Sequence, residues 1–209
     1  MIQLELLKAG RRYNRNWIFR NLDLQLIKDC SLAILGPNGS GKSTLIQLLA
    51  GYLSPSEGTV SLCKNGKEID SSQIYRHISL AAPYIELLEE FSFQEQLAFN
   101  MRLKGSFSGY SENYLLDRSG LQKAGNRPIK QFSSGMKQRA KLLLACSADT
   151  AIVLLDEPLT NLDQQGLQWY QELVADFGKG RTIVVASNNL AEYSFCQQRL
   201  LIEDYKNSI

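Results

Sequence analysis

The sequence predicts an α/β fold: a parallel sheet with helices on both faces, preceded by short strands around a turn and interrupted by a helical lobe. Three observations predict it. Apolar runs at 32–35 and 151–155 have the pattern of strands buried on both faces. From residue 133 onward, strand and helix patterns alternate, as in parallel sheets whose crossovers are helical. The composition, 44% hydrophobic and 21% charged over 209 residues with 15 Gly and 5 Pro, suits one globular domain carrying an inserted lobe.

In chain order, residues 2–7 and 18–26 read as two strands, the second alternating apolar and polar from Leu22 to Leu26. Between them Lys8, Arg11, Arg12, Arg15 and Arg20 form the densest basic stretch, expected to be a solvated turn. The buried strand 32–35 runs into a glycine-rich turn, and Leu45, Ile46, Leu48 and Leu49 then recur at helical spacing. Residues 59–63 and 78–82 are further strands. Helical periodicity dominates 86–123, broken by a loop at 105–109. A helix over 136–145 precedes strand 151–155, a helix over 164–177 precedes strand 182–186, and a last strand lies near 199–202.

The charge balance, 23 Lys and Arg against 21 Asp and Glu, lacks the basic excess of a protein that neutralises many nucleic-acid phosphates. Cysteines 30, 63, 146 and 196 form no C-x-x-C pair, and the one histidine, His77, completes no metal set, so free thiols in a reducing cytosol are expected. The longest apolar runs reach about a quarter of the ~20 residues that span a bilayer. The N-terminal residues lack the layout of a secretory signal.

Gly36-Pro37-Asn38-Gly39-Ser40-Gly41-Lys42-Ser43 matches G-x-x-x-x-G-K-[ST] between a buried strand and a helix. Its glycines let backbone N–H groups converge on phosphates, and the helix N-terminus adds partial positive charge. Gly36, Pro37, Asn38, Gly39, Ser40, Gly41, Lys42, Ser43 and Thr44 are the expected phosphate-binding set, with Lys42 on the β- and γ-phosphates and the Ser43 hydroxyl on Mg²⁺. Asp156 ends a buried strand at the edge where such sheets bind ligands, which suits a metal-shell carboxylate; Glu157 suits a general base for water.

With these motifs, the segment Gln131-Phe132-Ser133-Ser134-Gly135-Met136, then Asp156-Glu157-Pro158 and Leu162-Asp163, resembles the nucleotide-binding domain of the ATP-binding cassette (ABC) family over essentially the whole chain. The resemblance implies a P-loop NTPase core with a parallel sheet, an N-terminal antiparallel β subdomain and a helical subdomain inserted at approximately 84–130, all in a single domain over 1–209. It implies an ATPase that binds ATP and Mg²⁺, closes head-to-tail with a second ABC domain, and drives a separate integral-membrane transporter subunit from the cytoplasmic face. Ser133 and the Gly135 N–H would then bind the partner's γ-phosphate, and Asp163 would contact the partner's phosphate loop. Tyr13 would stack on adenine, with Trp17 as the second choice.

The sequence also departs from the family. The glutamine expected after strand 78–82 is replaced by Ala82 or Pro83, and Asn188 stands where a histidine should contact the γ-phosphate. An amide donates a hydrogen bond but cannot titrate as imidazole does, so ATP binding with slowed turnover is expected. Tyr84, Leu87 and Phe91 are expected to line the groove that receives the membrane subunit, and His77 to lie on the surface. The rival readings are a soluble clamp driven by ATP, and a regulatory domain that binds nucleotide without turnover.

Overall fold

A computed structural model of the chain describes residues 1–206. Strands β1 (Ile2–Tyr13) and β2 (Asn16–Leu26) form an antiparallel hairpin, followed by β3 (Ser31–Leu35) and helix α1 (Lys42–Leu49). Strands β4 (Glu57–Lys64), β5 (Lys67–Glu68) and β6 (Ile78–Ala81) come next. A helical stretch follows, with α2 (Phe93–Lys104), α3 (Glu112–Ser119) and α4 (Ser134–Ser147). The chain then alternates through β7 (Ile152–Asp156), α5 (Gln164–Phe177), β8 (Thr182–Ala186), α6 (Leu190–Tyr193) and β9 (Gln198–Leu201). One sheet is antiparallel in the order β2-β1-β4-β5; the other is parallel in the order β6-β7-β8-β3-β9.

The buried runs read from the sequence serve two cores. In β7, Val153 and Leu155 face a core shared with α2, α3, α4 and α5, while Ile152 and Leu154 face one shared with α1 and the antiparallel sheet. In β8, Ile183 and Val185 face the helices, and Val184 and Ala186 face the other way. Alternate side chains of a strand point to opposite faces, so a strand covered on both sides must be apolar at every position.

The early basic stretch is not a turn. The two strands extend to Tyr13 and from Asn16, leaving only Asn14 and Arg15 between them. Register shifts in β1 near Leu6, Ala9 and Arg11 break the two-residue alternation that marks a strand in sequence. The arginines are placed along the hairpin: Arg20 pairs with Glu57 at 2.7 Å, and Arg12 and Arg20 lie over the Trp17 ring. His77 is half-buried rather than on the surface, and its carbonyl accepts from the N–H groups of Ala151 and Ile152.

Candidate nucleotide-binding site

The carboxyl ends of β3, β7 and β8 are neighbours in the sheet, and each delivers part of one site. Beyond β3, Pro37, Asn38 and Gly39 are exposed while Ser40 and Lys42 are buried. The turn depends on glycine at two places. Gly36 has φ 148°, and a Cβ there would lie 2.6 Å from the Ile202 side chain; Gly41 has φ 111°, and a Cβ would lie 2.4 Å from Ile18. Lys42 Nζ donates to the carbonyls of Gly36 (2.7 Å) and Pro37 (3.2 Å), so the ammonium sits inside its own loop.

Helix α1 begins without a side-chain cap and with no acidic residue in its first turn. Its neighbours differ: α2, α3, α4, α5 and α6 are capped by Ser92, Ser111, Ser133, Asp163 and Asn189. An uncapped N-terminus leaves backbone N–H groups free, which is the arrangement that receives an anion.

At the end of β7 the Asp156 side chain is 1% exposed, and neither carboxylate oxygen accepts a hydrogen bond. Burial raises its pKa above the ordinary aspartate range, offset in part by the nearby Ser43 hydroxyl and Lys42 ammonium. A buried carboxylate without partners is costly, and hard oxygen donors such as Asp156 and Ser43 fit Mg²⁺. Glu157 has φ 46°, an uncommon conformation for a residue with a side chain, held by its N–H donating to Ala186 O at 2.9 Å. Beyond β8, Asn188 bridges the phosphate loop: its Oδ1 accepts from the Gly36 N–H at 3.4 Å, and its Nδ2 donates to Asn38 Oδ1 at 3.3 Å.

Ser133, Gly135 and Asp163 come together on a separate concavity of about 440 Å³, with Asn161, Leu162 and Arg139. Ser133 and Asp163 are both engaged as caps there, accepting from the N–H groups of Met136 (3.2 Å) and Gly166 (2.8 Å). Tyr13 lies exposed near the hairpin tip with the Arg11 guanidinium over its ring, 4.8 Å from the centroid.

None of the three residues expected to line the groove is fully buried: Tyr84 is exposed, and Leu87 and Phe91 are half-buried. Leu87 lines a cavity of about 130 Å³ together with Gln96, Lys104 and Lys141, but Tyr84 and Phe91 are not among its walls. Phe91 packs edge-on against Phe99, and Tyr84, on the loop after β6, is 39% exposed. Burial, then the Asp156 charge, pushes the Tyr84 pKa well up.

Glu192 was also missed in the sequence. It is 5% exposed, accepts from the Leu159 N–H at 2.9 Å, and so ties the segment after Glu157 to α6. Burial raises its pKa, with the Ser187 hydroxyl opposing the shift. A carboxylate in a four-residue helix carries no motif spacing that would have singled it out.

Comparison with known proteins identifies the family. The family model described as "ABC transporter" matches residues 19–160. The lantibiotic transport ATP-binding protein SrtF of Streptococcus pyogenes is 30% identical over 206 residues, covering 92% of this chain and 82% of its own length. The taurine import ATP-binding protein TauB of Jannaschia sp. is 34% identical over 192 residues, covering 86% and 70%. Among solved structures, a dimeric ATP-binding cassette in a post-hydrolysis state with ADP and Pi superposes with a TM-score of 0.81 at 20% identity, covering 95% of this chain and 94% of that one. The chain belongs to the ABC transporter family, as an ATP-binding, ATP-hydrolysing domain.

Proposed function

We propose that the chain is the ATPase subunit of an ABC transporter, that it dimerises on ATP, and that its turnover is slow because Asn188 replaces a histidine. The single observation that carries the reading is the meeting of the uncapped α1 N-terminus, buried Lys42 and the partnerless Asp156 at the ends of three adjacent strands. Residues Gly36 to Thr44 wrap the phosphates, with Lys42 exchanging its loop carbonyls for phosphate oxygens. Ser43 and Asp156 would hold Mg²⁺, which would offset the charge of the phosphate oxygens. Glu157 takes the proton of the attacking water, and Asn188 donates to a phosphate oxygen. Tyr13 stacks on adenine.

The placement of Ser133, Gly135 and Asp163 on a face of their own supports dimerisation in this reading. A second ABC domain, identical or not, brings that face to the γ-phosphate. Among the described residues no helix is long and apolar enough to cross a membrane. The relatives named as transport ATP-binding proteins support a membrane subunit as partner, met at the cytoplasmic face through the Leu87 cavity. In this reading residues 1–209 are one domain with the helical part inserted near 84–130.

Glu157→Gln tests the reading directly. ATP binding should persist, a dimer should accumulate on size exclusion with MgATP, and phosphate release should fall by about 10²–10⁴-fold. Parental phosphate release from this variant would overturn the general-base role.

A further inference from the structure

The peptide that joins Pro158 to Leu159, just beyond Glu157, is held at both of its polar ends. Its carbonyl accepts from Gln138 Nε2 of α4 at 2.8 Å, and its N–H donates to Glu192 Oε1 of α6 at 2.9 Å. Both holders are buried, Gln138 at 4% exposure and Glu192 at 5%. An amide that donates and a carboxylate that accepts suit the two ends of one peptide, and together they fix the orientation of its plane. The holders are themselves anchored. Gln138 lies on the helix that Ser133 caps, and the Glu192 carbonyl accepts from the hydroxyl of buried Tyr170 on α5 at 2.8 Å.

Glu157 stands at φ 46°, a conformation that a residue with a side chain keeps only when its surroundings enforce it. On its N-terminal side the enforcement is the bond from its N–H to Ala186 O at 2.9 Å. On its C-terminal side Thr160 N–H donates to Glu157 O at 3.2 Å, closing a turn whose central peptide is the one held by Gln138 and Glu192. Freeing that peptide lets the turn open and φ of Glu157 relax, and the carboxylate moves with it. We propose that Gln138 and Glu192 are positioning residues for Glu157: by gripping the Pro158–Leu159 peptide from α4 and α6, they keep its carboxylate aimed at the attacking water. This rests on the general-base reading of Glu157 given above.

The test measures phosphate release by the purified full chain with MgATP. Gln138→Met and Glu192→Met keep the side-chain length and remove the bond to the peptide. Each should lower kcat about tenfold and leave KM for ATP unchanged, because a misaimed base slows chemistry without weakening binding. Glu192→Gln retains an oxygen that accepts from Leu159 N–H and should recover most of the rate. In a Glu157→Gln background neither Met substitution should lower the residual rate further, since the group they position is gone. Parental kcat in both Met variants overturns the proposal, and so does a rise in KM at constant kcat. An equal tenfold loss in the Glu157→Gln background also overturns it, marking a general structural role. If the Met variants melt early, Glu192→Gln decides, and a rate as low as that of Glu192→Met counts against the peptide bond as the cause. Parental release from Glu157→Gln alone is a separate result, which removes the general-base reading itself.

Discussion

Asn188 joins two loops through one amide, accepting from the Gly36 N–H and donating to Asn38. An amide can do both at once, but it carries no proton that leaves near neutral pH. Asn188→His should therefore raise steady-state phosphate release severalfold. The gain should depend on pH near the ordinary histidine pKa of about 6.5, a dependence the parent lacks. Phosphate release assayed between about pH 5.5 and 8.5 checks this, and an unchanged rate would show that the asparagine does not limit turnover. The site residues differ in how readable they were. Lys42, Ser43 and Asp156 stand in motifs whose spacing is local, so the sequence places them on a loop and a strand end. Glu192 depends on the packing of α6 against the segment after β7, which no short-range pattern encodes.

The helices show the same division between local and distant causes. The helix read over 164–177 matches α5, whose N-cap proves to be Asp163 and whose apolar stripe ends at Phe177. What holds its C-terminal end was not visible. Buried Arg181 donates to the carbonyls of Cys146 (2.5 Å), Ala148 (2.9 Å), Thr150 (2.8 Å) and Phe177 (3.2 Å), binding the end of α4 to the end of α5. Its ring partner, Phe107, lies 4.7 Å from the guanidinium carbon. Burial lowers the Arg181 pKa to about 10, opposed in part by the Asp149 charge. Arg181→Met fits the space but strands several carbonyls, so it should cost about 3 kcal/mol. That is a fall in Tm of roughly 6–12 °C for a chain of this length, read by thermal melting. A smaller effect would mean that water replaces the guanidinium. In β1 the local signal was misleading instead, because its register shifts hide a strand inside a basic run.

At the scale of the whole molecule, the chain order and the sheet order disagree. Strand β3, which carries the phosphate loop, lies between β8 and β9, with Ala33 opposite both Val185 and Arg199. Sequence alternation predicts a parallel sheet but not which strands flank which, since that order is set by crossovers between distant segments. Pairing across such separations is slow to form, because the loop must close before the contacts reward it. Synthesis makes the consequence concrete. The phosphate loop emerges early from the ribosome, yet its supporting strand has no neighbours until β8 and β9 have followed. Ribosome-stalled chains that expose residues through 180 should fail to retain a fluorescent ATP analogue, and chains that expose residues through 206 should hold it. Acquisition of nucleotide thus acts as a late checkpoint of biosynthesis, reporting that nearly the whole described polypeptide has been made and docked.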